Sequence, residues 1–356
     1  MKRFTFIILL FICIGFVAEA QRAPKYSNEF LSIGVGARAL GMFGSQTAIA
    51  DDVTAGYWNP AGLVDLSSTY QGSLMHAEYF AGIAKYDYAG FATKIDSSSA
   101  LAVSMIRFAV DDIPDTRFLY DANGAINYDN IRFFSAADYA FLISYARKIN
   151  FLEGLKVGGN FKVIHRVAGD FATAWGFGLD VGAQLKVKSW QFGLMFRDVT
   201  GTFNAWNHNT TLVEDVYLQT GNDIPENSIE VTLPKMIIGI ARYQKIKEKF
   251  GVLASLDLAN TFDGERNVLI RSEVISLDPS LGLEFDYLKS FFIRFGAGNI
   301  QEIKNFDGST YTTVQPNFGL GIKIKQVQLD YALTDIGDQS ASLYSHVFSL
   351  KASFDK

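Results

Sequence analysis

One cysteine, seven prolines and four histidines are all that this 356-residue chain holds of the residues that most often staple, break or catalyse. Cys13 falls in the first twenty residues, which read as a secretory signal. Lys2 and Arg3 are followed by an apolar run from Phe4 to Val17 and by Ala18-Glu19-Ala20 as a cleavage site. Ile12 precedes Cys13 where a lipoprotein signal wants a small residue, so a plain cleaved signal is expected. The mature chain, residues 21–356, then has no disulfide, thiolate metal site or cysteine nucleophile. His76, His165, His208 and His346 are scattered, with no H-x-x-x-H pair to hold zinc and no G-x-S-x-G serine to activate. Asp121-Ala122-Asn123-Gly124 lacks the bidentate glutamate of a calcium loop and reads as a turn. No enzyme, metal or cofactor is expected. After Gln21 no apolar stretch nears the roughly 20 residues of a membrane helix. A net charge of -5 gives no reason to expect nucleic acid as a partner.

Aromatic residues are abundant: 30 Phe and 16 Tyr help to bring the aromatic share to 14%. An exported chain this apolar, without a spanning helix, can cross a membrane only as a closed barrel. The sequence alternates accordingly. From Ala174 to Val187, Trp175, Phe177, Leu179, Val181, Ala183, Leu185 and Val187 share one face, while the other is glycine, alanine or polar. Fourteen residues of alternation far exceed the five or six of an average strand and cover the nine to eleven, approximately, that a barrel strand needs. The pattern places about fourteen strands, near 69–77, 85–95, 100–110, 136–147, 155–166, 173–187, 190–199, 235–244, 250–260, 280–287, 291–298, 315–325, 327–335 and 343–354. Arg266–Ser276 is read as a ribbon reaching into a loop. Short connections alternate with long ones at 111–135, 200–234, 261–279 and 299–314, as in outer-membrane barrels with short periplasmic turns. Both mature termini are then expected in the periplasm. The short-turn rim carries Lys148, Lys186, Lys188, Lys245, Lys247, Lys249, Lys289 and Lys325, which face either water or lipid headgroups. Asp180, Asp257, Glu284, Asp286 and Asp330 fall on the lumen face of their strands, where charges pair or meet water.

Residues 21–66 break the pattern. Gly34, Gly36, Ala37, Ala39, Gly41, Gly44 and Ala48 are small enough for backbone to approach an inner wall. Asp51 and Asp52 can cap a short helix. Asn59 before Pro60 is held out of helical geometry. Irregular backbone at membrane depth survives only inside protein or beside lumen water, so this stretch is expected inside the barrel, with Arg38 as a partner for the lumen acids. Gly34-Val35-Gly36-Ala37-Arg38-Ala39 also satisfies G-x-G-x-x-A, but no strand–helix–strand unit surrounds it.

The stretch "NEFLSIGVGARALGMFGSQTAIADDVTAGYWNPAGL", Asn28–Leu63, resembles the N-terminal signature of the PorV/PorQ family of Bacteroidota, within the FadL-like superfamily of outer-membrane proteins. Ala50-Asp51-Asp52 and Asn59-Pro60-Ala61-Gly62-Leu63 are the parts shared across the superfamily. The resemblance implies a lumen hatch at 21–66 in a barrel at 67–356, with Gly34, Gly36, Arg38, Gly41, Asp51, Asp52, Asn59, Pro60 and Ala61 as its motif. Phe43 stands where relatives carry a small residue, so close packing is not expected there. Two functions are implied. The first is an accessory of the type IX secretion system, bound to the translocon or to exported cargo. The second is diffusion of small hydrophobic compounds through a gap in the barrel wall. Membrane lipid, secretion proteins and a hydrophobic ligand are the expected partners.

Overall fold

The computed structural model describes residues 27–121, 123–335 and 344–355. The expected signal at 1–20 lies outside them. The first half of the wall is β1 (Tyr70–Tyr79), β2 (Ala84–Lys94), β3 (Ser99–Asp115), β4 (Arg132–Lys148), β5 (Leu155–Ala168), β6 (Ala172–Val187), β7 (Trp190–Arg197) and β8 (Thr202–His208). The second half is β9 (Ser228–Thr232), β10 (Lys235–Ile246), β11 (Phe250–Thr261), β12 (Ser276–Tyr287), β13 (Phe291–Lys304), β14 (Thr310–Ile324), β15 (Val327–Thr334) and β16 (Ser345–Phe354). All neighbours are antiparallel, and β1 pairs with β16 to close the ring. β7 and β8 both pair with β6, and β9 and β10 continue that hairpin, so the wall has fourteen strand positions.

The fourteen-stranded barrel follows from alternation held over whole strands. Outward Phe, Leu, Ile and Val remain exposed, as lipid contact requires, while the facing positions are buried. The expected strand ends fall short at the long-loop end. β3 and β4 pair on to Asp115↔Arg132, past a bulge between Val110 and Ile113, which leaves a loop of 116–131 only. Likewise β13 and β14 extend to Lys304↔Thr310, so 299–314 is mostly hairpin. Above the apolar band both faces turn polar. Alternation then disappears from the sequence although the hydrogen-bond ladder continues. Residues 266–275 form no strand and hold only the bridge Ile270↔Leu277. Asp121 accepts from the amides of Asn123 and Ala125, making the expected turn.

One wall position is interrupted. β6 pairs with β7 up to Val181↔Phe196 and with β8 from Phe177↔Phe203. Three residues of β6 thus face six of the partner strand. Asp198 (φ 55) and Gly201 (φ 70) turn the chain there, and the Val199 amide donates to Leu179 O at 2.9 Å. Across the hairpin, Leu233 and Pro234 separate β9 from β10, and proline has no amide to give the ladder.

Candidate functional site

Residues 27–68 run inside the barrel. The described chain begins at the long-loop end: Asn28 bonds to Thr232 and Asn204, and Thr232 donates to Ser27. A 3-10 turn (Glu29–Ser32) follows, held by the Tyr57 hydroxyl, which donates to the Leu31 carbonyl. Gly34 has φ 96, and a Cβ there would lie 2.9 Å from the Trp58 ring, so no other residue fits. The Trp58 indole donates to Val35 O at 2.8 Å. A single helical turn, Ala37–Leu40, lies against β14–β16, where the Ala37 amide donates to Ser349 and Asn317 donates to Leu40 O. Among the described residues no strand precedes the G-x-G-x-x-A stretch; antiparallel strands follow it.

From Met42 to Ala48 the segment crosses the wall from β13 to β7, backbone against backbone. Inward glycines supply the room. A Cβ at Gly296 would overlap the Phe43 amide, and one at Gly193 the Thr47 carbonyl. A Cβ at Gly319 would approach Gly41 Cα to 3.1 Å, and one at Gly158 the Ala61 amide to 2.6 Å. Phe43 corrects the expectation of loose packing. It adopts φ 54 and packs over Gly296 and Gly298, so the space comes from the wall rather than from a small residue in the segment.

The five lumen acids are all buried. Arg38 reaches only Glu284 among them (3.0 and 3.2 Å) and bonds Asp51 at 3.0 Å. The larger hub is Arg294, fully buried, which joins Glu284 at 2.6 Å and Asp330 at 2.7 Å. Asp180 pairs with Lys162 at 2.7 Å, and Lys162 also bonds Asp198 at the wall interruption. Asp286 accepts from the Tyr243 hydroxyl. Asp257 has no cation at bonding distance; its Oδ2 accepts the amides of Gln46 and Thr47 at 2.9 and 2.8 Å. Besides the Arg38 partner expected, Arg294, Lys162, the Tyr243 hydroxyl and the Gln46 and Thr47 amides share the work, because the acids are spread over β6, β11, β12 and β15.

Asp52 accepts from the Thr54 amide (2.9 Å) and hydroxyl at the start of the turn Ala55–Trp58, and its other oxygen bonds Lys351 at 2.6 Å. Asp51 instead stays exposed beside Arg38. Asn59 is extended (φ -160, ψ 103) and fully buried. Its amide donates to Thr47 O and Ala183 O, and its carbonyl accepts from Ala61. Pro60 opens the 3-10 turn Pro60–Asp65.

The segment separates two cavities that share no lining residue. The long-loop cavity, about 720 Å³, has Phe30, Phe43, Tyr57, Trp58, Phe80 and Phe108 among its walls. The short-turn cavity, about 910 Å³, is rimmed by Lys94, Lys186, Lys188, Lys245, Lys289 and Lys323. A small third cavity lies between the turn at Glu29–Ser32 and the wall interruption, bounded by Tyr57, Lys162, Arg197, Asp198 and Pro234. His165 is on β5, stacked on Trp175 at 4.1 Å between ring centroids, which is an aromatic contact on the outer wall. Among the described residues no cluster of three metal-binding side chains occurs.

No family model matches the sequence, and no curated protein matches it. Solved structures do match. The CymD monoaromatic hydrocarbon channel superposes with a TM-score of 0.56 at 14% identity, over 91% of this chain and 98% of that one. The P. putida toluene transporter TodX gives 0.55 at 12%, over 91% and 99%. A Pseudomonas aeruginosa FadL homologue gives 0.50 at 11%, over 89% and 97%. The fold is that of the FadL-type channels.

Three features of this barrel escaped the sequence reading. Arg294, Lys162 and Lys351 stand at inward parity, and the rule that found the acids applies to them equally. The wall glycines were visible only as a small-residue face. The interruption at Asp198–Gly201 has one sequence signal, Asp198 three residues before Gly201, and it falls at the expected boundary between strand 190–199 and loop 200–234.

Proposed function

We propose that the protein is an outer-membrane channel for small hydrophobic compounds. The observation that carries the reading is the long-loop cavity, whose walls combine seven aromatic rings with nine charged side chains, floored by the inner segment and adjoining the interrupted wall at Asp198–Gly201. A compound entering from the long-loop end meets Phe30, Phe43, Trp58 and Phe108 and is barred from the straight path by the segment. The break between β7 and β8, beside β6, offers a sideways exit into lipid, where an apolar molecule is more stable than in water. In this reading residues 27–66 act as a hatch, the short turns and Phe354 face the periplasm, and the long loops face outward; the mature N-terminus expected in the periplasm lies outside the described residues, which begin at Ser27 at the long-loop end. Epitope tags beside Asn123 and Asn209 should be reachable on intact cells; exposure only after permeabilisation reverses that orientation.

The resemblance of Asn28–Leu63 to PorV/PorQ proteins supports a second reading, an accessory of type IX secretion that binds the translocon or its cargo. One deletion strain separates the two. Slower toluene uptake with normal protein export supports the channel. Normal uptake with lost export of sorting-domain cargo overturns it and leaves the secretion accessory.

A further inference from the structure

The outer wall of β1, β2 and β3 carries a charged cluster at a height where other strands are apolar. His76 lies six residues from Tyr70 at the short-turn end of β1, Asp87 seven from Lys94, and Arg107 eight from Ser99. The three are cross-strand neighbours: His76↔Asp87 and Asp87↔Arg107. They are joined by bonds of 2.7 Å (His76 Nδ1 to Asp87) and 3.0 Å (Arg107 Nη1 to Asp87), with Glu78 3.8 Å from His76. A tilted strand climbs roughly 2.5 Å of membrane height per residue, so the cluster stands about 15–20 Å above the short-turn rim, inside an apolar band about 25 Å tall. Six residues from the same rim, other strands present Phe348, Val181, Leu281, Leu256, Ile240 and Phe161, all exposed and apolar. Below the cluster is an outward recess of about 670 Å³, lined by Gly72, Ala89 and Ala352 together with Leu74, Phe91 and Phe141.

Charge facing hydrocarbon is unfavourable unless it is paired and covered. The pairing is present within the chain; the cover is not. We infer that a second copy of this chain covers the face, in a two-fold dimer through β16, β1, β2 and β3. Depth and sign together favour this occupant. Two copies inserted in the same sense bring cluster against cluster at one height about an axis along the membrane normal. Each cluster offers both signs, so Arg107 of one copy can meet Glu78 or Asp87 of the other without like charges being forced together. The small residues of the recess let outward side chains of the neighbour seat. The inference rests on the outer-membrane location proposed above and is independent of transport.

Full-length protein carrying Leu74→Cys at this face, and separately Leu256→Cys on the far wall, tests it in native outer membrane under mild oxidation. Insertion is verified first by membrane fractionation and by the heat-dependent gel shift of a folded barrel; a barrel absent from that fraction fails the location rather than the dimer. A covalent dimer of this chain from Leu74→Cys and none from Leu256→Cys supports the inference. Asp87→Arg should abolish that dimer, and adding Arg107→Asp should restore it. Equal cross-linking at both positions overturns the inference, as does capture of a different protein at Leu74→Cys. A monomer retaining lipid in native mass spectrometry also overturns it, since lipid is then the cover. The single cysteine variants leave the ion cluster intact, so the result does not depend on the folding of the charge-reversed chain.

Discussion

The inner segment is held differently on its two sides. Toward β12–β16 ion pairs add to the backbone fit at Gly296 and Gly319: Arg38 bonds Glu284, which the wall residue Arg294 links to Asp330, and Lys351 holds Asp52. Toward β4–β7, β10 and β11 it is mostly backbone contact, with an ion pair: Asn59 bridges carbonyls, glycines admit the chain, Asp257 receives two amides, and Lys156 holds Asp65 at 2.5 Å. Few groups with large individual consequences secure the first side. Many close contacts, each replaceable in part, secure the second. A side that depends on ion pairs can be released by removing one charge. A side built from backbone fit yields only to added volume.

Four substitutions probe that contrast. Arg294→Ala should act most strongly. It leaves Asp330 without a cation and Glu284 with Arg38 alone, and breaking a buried pair costs about 3–5 kcal/mol. Urea unfolding of the purified barrel measures this; a loss below that of Arg38→Ala would remove Arg294 as the hub. Gly158→Val comes next. Its side chain would press on the Pro60–Ala61 backbone, and overpacking costs about 1–3 kcal/mol. Conductance in planar bilayers should rise as the segment shifts, and an unchanged trace would show that this contact does not position it.

The sequence announced the wall far better than these attachments. Outward positions repeat the same chemistry over every strand, so Trp175 through Val187 declare their parity without knowledge of any neighbour. An attachment depends on which strands meet across the lumen, and that pairing is set by the closure of the whole ring. Gly158, Gly193 and Gly319 belong to strands distant in sequence, and only the fold brings them to one segment. Asn59 was legible because its extended geometry is local, imposed by Pro60. Arg38 was half legible. Its charge predicted an acid, but which acid depended on the position of β12.

Arg38→Ala should have a smaller effect than Arg294→Ala, because Arg294 continues to hold Glu284. The lost charged hydrogen bonds amount to about 1.5–3 kcal/mol, less where lumen water compensates. Single-channel recording should show a modest leak; a fully open pore would make Arg38 the main latch. Asp257→Asn should be nearly silent, within about 1 kcal/mol, because an amide oxygen can still accept from Gln46 and Thr47. A large loss in the same unfolding assay would mean that the negative charge itself is required there.

Ser27 lies near the long-loop end, while β1 starts at the opposite rim and completes the ring by pairing with β16. Residues 27–69 are therefore a thread through a closed loop. Once the seam between the first and last strands has zipped, this thread can reach its seat only by being drawn lengthwise through the lumen, past side chains that fill it. An assembly order in which the seam forms last avoids that passage and folds the wall around the segment. The closing strand pair is then a checkpoint: it commits the protein to holding whatever lies inside at that moment.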